Sequence, residues 1–309
     1  MTDFVADTGT ARPTPSRPTQ SRPAPSRLGP ATFRWGERTY VMGILNVTPD
    51  SFSGDGLLAD DDPVSGAVAT GERMVAEGAD LLDVGGESTR PGHAPVTADE
   101  ERRRVVPVIA ALRAALPDIP LSIDTTKPSV AEAALAAGAD LINDVWGVGA
   151  DESLVRLAAD HGVPLIVMHN RAEPRYTSLL PEVIADLQRA IERALRVGVR
   201  WDDLIVDPGF GFGKTPEHNL ALLRDLGALR MLGRPILLGT SRKSTLGHVL
   251  GPHAGERLEA TIATTALGIA GGVDLVRVHD VLANVRAARI SDAVIRGDRP
   301  TTTTDGGPS

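Results

Sequence analysis

Eight short apolar runs in this chain stop on residues that carry charge, donate hydrogen bonds or move protons: Asn46, Asp83 with Glu87, Asp124, Asn143, His169, Asp207, Ser241 with Lys243, and Arg277 with His279. Polar residues favour turns, so one or two such endings would carry no meaning. All eight runs ending this way points to a shared site. Two carboxylates and a carboxamide, Asp124, Asp207 and Asn143, can accept from and donate to a planar heterocycle with an amino-amidine edge, much as a carboxylate meets the paired N–H groups of an arginine. Lys243, Arg277 and His279 supply positive charge to the same set. The combination suits a ligand that is heterocyclic at one end and anionic at the other. Phosphate or pyrophosphate is the natural anion, because helices starting after the runs would aim their N-terminal N–H groups at it.

The elements that must position these residues can be read from periodicity. The apolar runs cover residues 40–46, 80–85, 120–124, 140–144, 164–169, 204–207, 235–240 and 273–279, each followed by a segment of helical period. Continuous Val/Ile/Leu runs of this kind predict parallel strands buried on both faces. Helix ends are marked as well: Thr97 with Glu100 reads as a capping box, Thr215-Pro216 as a cap before a first-turn proline, and Gly78 and Gly138 as helix stops. The returns EGADLLD from Glu77, AGADLIND from Ala137 and GGVDLVR from Gly271 launch their strands alike, a weak internal repeat. Eight β-α units over about 250 residues predict the α/β class and a (β/α)8 TIM barrel, with its site at the C-terminal ends of the strands.

Several other chemistries are excluded. The stretch DPGFGFGKT from Asp207 ends like a P-loop, but Pro208 stands where the first glycine is required. No G-x-G-x-x-G follows the first strand, and no H-E-x-x-H occurs. His161 and His218 read as ordinary helix residues, and His248 and His253 as surface residues. With no cysteine there is no disulfide, thiolate metal site or Cys nucleophile. The formal net charge of -8, from 40 acidic and 32 basic residues, disfavours nucleic acid as a partner. No apolar stretch reaches the roughly 18 residues of a membrane helix and no signal-peptide core is visible, so no membrane partner and a cytoplasmic location are expected.

The 309 residues, 42% hydrophobic, suffice for one large core plus tails. Residues 1–33, with an Arg-Pro-x-x-Ser unit repeated from Arg12, Arg17 and Arg22, are expected to be a disordered Arg/Pro/Ser-rich tail. Residues 34–298 are expected to form the barrel and residues 299–309 a second disordered tail.

Seven segments in order then carry a resemblance: MGILNVTPDSFS from Met42, DVGGESTRPG from Asp83, SIDT from Ser122, IND from Ile142, DPGFGFGK from Asp207, GTSRKS from Gly239 and RVHD from Arg277. Over nearly all of residues 38–297 the chain resembles the dihydropteroate synthases, the pterin-binding barrel enzymes and sulfonamide targets of folate synthesis. The resemblance implies a transferase that joins a dihydropterin-CH2-diphosphate to p-aminobenzoate and releases pyrophosphate. It assigns Asp124, Asn143, Asp207 and Lys243 to the pterin, with Arg277 stacked on its ring. Asn46 would help hold Mg2+ against the diphosphate, with His279 and the first turn of its helix on the phosphates. Thr89, Arg90 and Pro91 would form a loop that closes over the site together with the loop after Asn46, while Phe212 and Ser244 would line the aminobenzoate pocket. A homodimer through outer helices is implied too.

Such a reaction needs no side-chain nucleophile. A dihydropterin ring can delocalise positive charge onto its exocyclic CH2, so pyrophosphate departure, eased by Mg2+, Arg277 and His279, can precede attack by the aryl amine. Closed loops would keep water from the cation. One departure from the family pattern is present: Ser-Phe-Ser-Asp-Gly-Gly is replaced by SFSGDG from Ser51, which moves the acid to Asp55, expected to serve through a loop shift. Two other functions fit much of the same pattern. One is a methyltetrahydrofolate-dependent methyltransferase, which shares the Asp, Asn and Asp grip but needs no diphosphate contacts; the other is a noncatalytic pterin-binding paralogue.

Overall fold

The structure, a computed structural model, describes residues 22–48, 62–87, 96–147, 149, 151–251 and 257–297. Its strands are β1 (Ser26–Leu28), β2 (Ala31–Phe33), β3 (Tyr40–Asn46), β4 (Leu81–Gly85), β5 (Leu121–Asp124), β6 (Leu141–Asp144), β7 (Leu165–Met168), β8 (Leu204–Asp207), β9 (Leu237–Leu238) and β10 (Leu275–Val278). The last eight are all parallel, in the order β8-β7-β6-β5-β4-β3-β10-β9. A parallel bridge between Val206 and Ile236 joins the two outer strands and closes the ring. The expected (β/α)8 barrel is therefore present, and each of its eight strands lies within two residues of its expected bounds, β9 being two residues shorter at each end.

The outer layer is made by α1 (Pro63–Ala76), α2 (Ala98–Ala115), α3 (Pro128–Ala136), α4 (Ser153–His161), α5 (Leu179–Arg196), α6 (Pro216–Arg224), α7 (Ser244–Leu250), α8 (Leu258–Ala270) and α9 (Val281–Ile295). Thr97 caps α2 by accepting from the Glu100 N–H, but the Glu100 carboxylate turns to Arg103 and Arg104 at 2.6 and 2.9 Å. The expected box is thus half made, since a charged pair outcompetes a neutral N–H donor. At α6 the box is complete, and it uses His218: its Nδ1 accepts from the Thr215 N–H while its own N–H donates to Thr215 Oγ1. His218 is accordingly a capping residue and not an ordinary helix position.

Two apolar cores result. One lies between strands and helices. The other holds no helix residue: Met42, Leu81, Leu141, Ile166, Ile205, Leu237 and Leu275 fill the barrel interior, with Leu28, Phe33 and Trp35 packed on them. These last three belong to the hairpin β1–β2 and the turn after it, which floor the barrel opposite the catalytic end. Phe33 lies 4.4 Å from the Tyr40 ring, and the Trp35 indole N–H donates to Ser26 Oγ at 2.8 Å.

That hairpin corrects the expected tail boundary at residue 33. Leu28 and Phe33 are buried to 0% and 2% exposure, because an open barrel end offers an apolar surface that the Arg/Pro-rich composition around them does not reveal. Residues 1–21 of the first tail and all of the second lie outside the described residues. Deleting residues 1–30 should lower the melting temperature by several degrees, since a buried leucine alone contributes about 2–5 kcal/mol. Thermal melts of the two proteins check this, and coincident curves would show that the floor is dispensable.

Candidate active site

Strand geometry brings the polar ends together. A cavity of about 380 Å3 at the C-terminal end of the barrel is lined by Asn46, Asp124, Asn143, Asp207, Phe212, Lys243, Ser244, Arg277 and His279. With Glu87 and Ser241, eleven residues named from the sequence therefore share one cavity, with Ile44, Val145 and Met168 as apolar wall. Asp55, Thr89, Arg90 and Pro91 lie outside the described residues.

The centre of the site is an ion-paired network. Arg277, on β10, donates from Nε to Asp83 Oδ2 at 2.5 Å and from Nη2 to Asp124 Oδ2 at 2.6 Å. Asn143 Nδ2 donates to the same Asp83 oxygen at 3.0 Å. Neighbouring strands β4, β5 and β6 pair Asp83 with Ser122 and Asp124 with Asn143, and that register places the three side chains around one guanidinium. Asp124 keeps its other oxygen, Oδ1, buried and without a hydrogen-bond partner, so acceptor capacity remains for a ligand. Burial pushes the Asp124 carboxyl up to about 7, with Arg277 opposing and Asp83 adding to the rise. Arg277 itself is held above its ordinary value: burial works against the charge, and Asp83 and Asp124 outweigh it.

Asp207 ends β8 and accepts from the Gly209 N–H at 2.7 Å. Burial raises its carboxyl to about 6 against the opposing pull of that N–H, Lys243 and Arg277. Lys243 Nζ sits 3.7 Å above the Phe212 ring, a cation–π contact joining the residues expected at the pterin and at the aminobenzoate. His279 Nδ1 is 2.9 Å from Ser241 Oγ, and the His279 backbone N–H donates to that oxygen at 3.2 Å. Between Ser241 and Lys243 the backbone is forced: Arg242 has φ of +56°, costly for a side chain other than glycine. Its guanidinium on Asp280 at 2.7 Å and its carbonyl on Arg257 at 3.0 Å hold it there.

Two of the eight endings do other work. Glu87 lines the cavity but is tied to Lys127, which also pairs with buried Glu101 at 2.5 Å. His169 is fully buried away from the cavity, between Lys214 and Asp186. Conversely, Asp83 was legible as a polar strand end, yet spacing alone does not show that it serves Arg277 instead of a ligand. Nothing in the sequence signalled the pairing of Ser241 with His279.

No cluster of three or more His, Cys, Asp or Glu with metal-binding geometry occurs among the described residues. Mg2+ usually keeps several waters and takes one or two protein oxygens beside substrate phosphates. The Asn46 carboxamide, lining the cavity beside Arg277 and His279, fits that sparse mode and not a dedicated cage.

Residues 42–279 match the pterin binding enzyme family. The chain is 50% identical to a dihydropteroate synthase of Clostridium beijerinckii over 269 residues, covering 87% of this chain and 98% of the relative. Among solved structures it is similar to a dihydropteroate synthase of Clostridium difficile in the presence of pteroic acid, with TM-score 0.81, 49% identity and coverage of 85% and 99% of the two chains. It is also similar to the Xanthomonas albilineans dihydropteroate synthase with 4-aminobenzoic acid, with TM-score 0.82, 43% identity and coverage of 88% and 98%.

Proposed function

The chain belongs to the pterin binding enzyme family, and from that premise we propose how its cavity performs the reaction of a dihydropteroate synthase. It is a transferase of folate biosynthesis that condenses (7,8-dihydropterin-6-yl)methyl diphosphate with p-aminobenzoate to give 7,8-dihydropteroate and pyrophosphate, a reaction that sulfonamides target. The observation that carries the residue roles is the spare Asp124 acceptor in a cavity shared with Asn143, Asp207 and Lys243.

Asp124, Asn143 and Asp207 hold the amino-amidine edge of the pterin by accepting and donating hydrogen bonds. Arg277, fixed by Asp83, stacks on the ring, and Lys243 completes the pterin contacts. His279 and the first turn of α9 take the phosphates. Asn46 would supply a protein oxygen to Mg2+, which when bound neutralises diphosphate charge and eases its departure. The methylene C–O bond breaks with its electron pair leaving on pyrophosphate. The amine of p-aminobenzoate, lined by Phe212 and Ser244, then forms the new C–N bond and loses a proton. Thr89, Arg90, Pro91 and Asp55 are assigned to loops over the site. Leu267, Ile290 and Val294, exposed on neighbouring helices α8 and α9, support a homodimer through this side. Among the described residues no helix is long and apolar enough to cross a membrane, and we place the enzyme in the cytoplasm.

Incubation with the pterin diphosphate, p-aminobenzoate and Mg2+ should yield dihydropteroate and an equal amount of pyrophosphate. Pterin binding without product would leave the noncatalytic paralogue standing, and methyl transfer from methyltetrahydrofolate would replace the synthase by the methyltransferase.

A further inference from the structure

Lys214 is partly buried beside the site and belongs to none of the roles above. The loop 208–214 joins β8 to the cap of α6, and its glycines 209, 211 and 213 all have left-handed φ, at +69°, +83° and +53°. Such a segment has little intrinsic reason to keep one shape. The Lys214 ammonium gives it one: Nζ donates to the Gly209 carbonyl at 3.0 Å and the Phe212 carbonyl at 3.1 Å, and lies 2.9 Å from His169 Nδ1. Three protons meet three acceptors. The loop also packs tightly on β7's end, since a Cβ on Gly209 would fall 1.8 Å from the His169 carbonyl oxygen.

We infer that Lys214 is a positioning residue for the second substrate, its ammonium tying His169 to two carbonyls of the loop and so holding Phe212 at the aminobenzoate pocket. The P-loop-like sequence thus aims its lysine inward, at the loop's own carbonyls, and not at a phosphate. His169 is prepared for this part. Burial, followed by the nearby Lys214 charge, lowers its imidazole to about 4, so it stays neutral. With Nδ1 accepting, its proton sits on Nε2 and is donated to Asp186, 3.2 Å away, which Arg171 in turn holds at 2.7 Å. The pterin grip is held mainly by its strands: Asp124, Asn143 and Asp207 stand on β5, β6 and β8, and of the three only Asp207 bonds to the tied loop, through the Gly209 N–H.

The tie depends on protonation. Burial brings the Lys214 amine down to about 7; Arg171 and Lys243 push the same way, while Asp207 and Asp186 oppose. These are the charged groups facing it from β8, α5 and the loops after β7 and β9, together with neutral His169. A base with a lowered value carries its third proton below about pH 7 and loses it above. The neutral amine has two protons for three acceptors, so the loop loosens as pH rises.

The inference rests on Phe212 lining the aminobenzoate pocket, and Phe212→Ala tests that separately: an unchanged KM for p-aminobenzoate would sink the pocket assignment itself. For Lys214 the measurement is KM for p-aminobenzoate at saturating pterin diphosphate, from pH 6 to 9, in the parent and in Lys214→Met. The variant should raise KM tenfold or more at pH 6.5 while the pterin dissociation constant moves less than threefold. In the parent, KM should climb as pH passes about 7, and the climb should be missing from the variant, which has no proton to lose. A parental KM in the variant, equal loss for both substrates, or the same climb in both proteins would overturn the assignment. Should the variant not fold, a flat parental profile would overturn it alone.

Discussion

Arg277→Met is expected to lower kcat by about 10² to 10³, the usual cost of removing a preorganised charge from a site where charge develops. Arg277 alone bridges Asp83 and Asp124 in the described site, and both carboxylates are nearly inaccessible, at 0% and 7% exposure. Its loss therefore leaves two buried acids without their counter-charge, which costs about 3–5 kcal/mol of stability when one partner of a buried pair is removed. Asp83 would keep only the Asn143 amide at 3.0 Å. Steady-state turnover and a thermal melt measure the two effects. A second exchange separates them: Asp83→Asn in the same chain removes one uncompensated charge, so stability should recover in part while turnover does not. Parental turnover with an unchanged melting temperature would mean that the network is not the centre of the site.

Asp207→Asn should weaken pterin binding by about 1.5–3 kcal/mol, roughly ten- to a hundredfold in dissociation constant, with little change in fold. In the parent, Asp207 accepts the Gly209 N–H on Oδ1. An asparagine can keep that contact only by turning its NH2 toward the ligand, where a donor would meet donors. Calorimetric titration of pterin decides it, and an unchanged dissociation constant would remove Asp207 from the grip. The parent also has a pH signature. Burial raises the Asp207 carboxyl to about 6, so the charged acceptor is present above that pH and is lost as pH falls through it. Pterin affinity should weaken below about pH 6 in the parent, and the part of this decline due to Asp207 should be absent in the asparagine variant.

What could be read locally was read from the chain itself. The apolar runs predict buried parallel strands because a backbone with Val, Ile and Leu on both faces has to be covered on both. Their count and their alternation with helical segments then leave the closed barrel as the natural arrangement, and a barrel collects its strand ends at one rim. That is why Asn46, Asp124, Asn143, Asp207, Lys243, Arg277 and His279 stand out in the sequence alone, and why they line one cavity.

Partnership across the barrel is another matter, because it depends on register and twist between residues far apart in the chain. Arg277 reaches Asp83 and Asp124 over sequence separations of 194 and 153, and no local pattern says which of two strand-end acids meets a ligand and which meets an arginine. Pro208 is enough to exclude a phosphate loop at Lys214, but only the folded loop, with its left-handed glycines, shows its ammonium turned back on the Gly209 and Phe212 carbonyls. The hairpin at residues 26–33 is the same lesson in apolar form: Leu28 and Phe33 sit in a segment whose composition predicts disorder, and only the open floor of a finished barrel supplies the surface that buries them. Composition and periodicity determine the barrel strands and helices and about where their ends fall; the floor hairpin, and which side chains meet, were decided by tertiary structure, since a contact free energy exists only once both surfaces are in place.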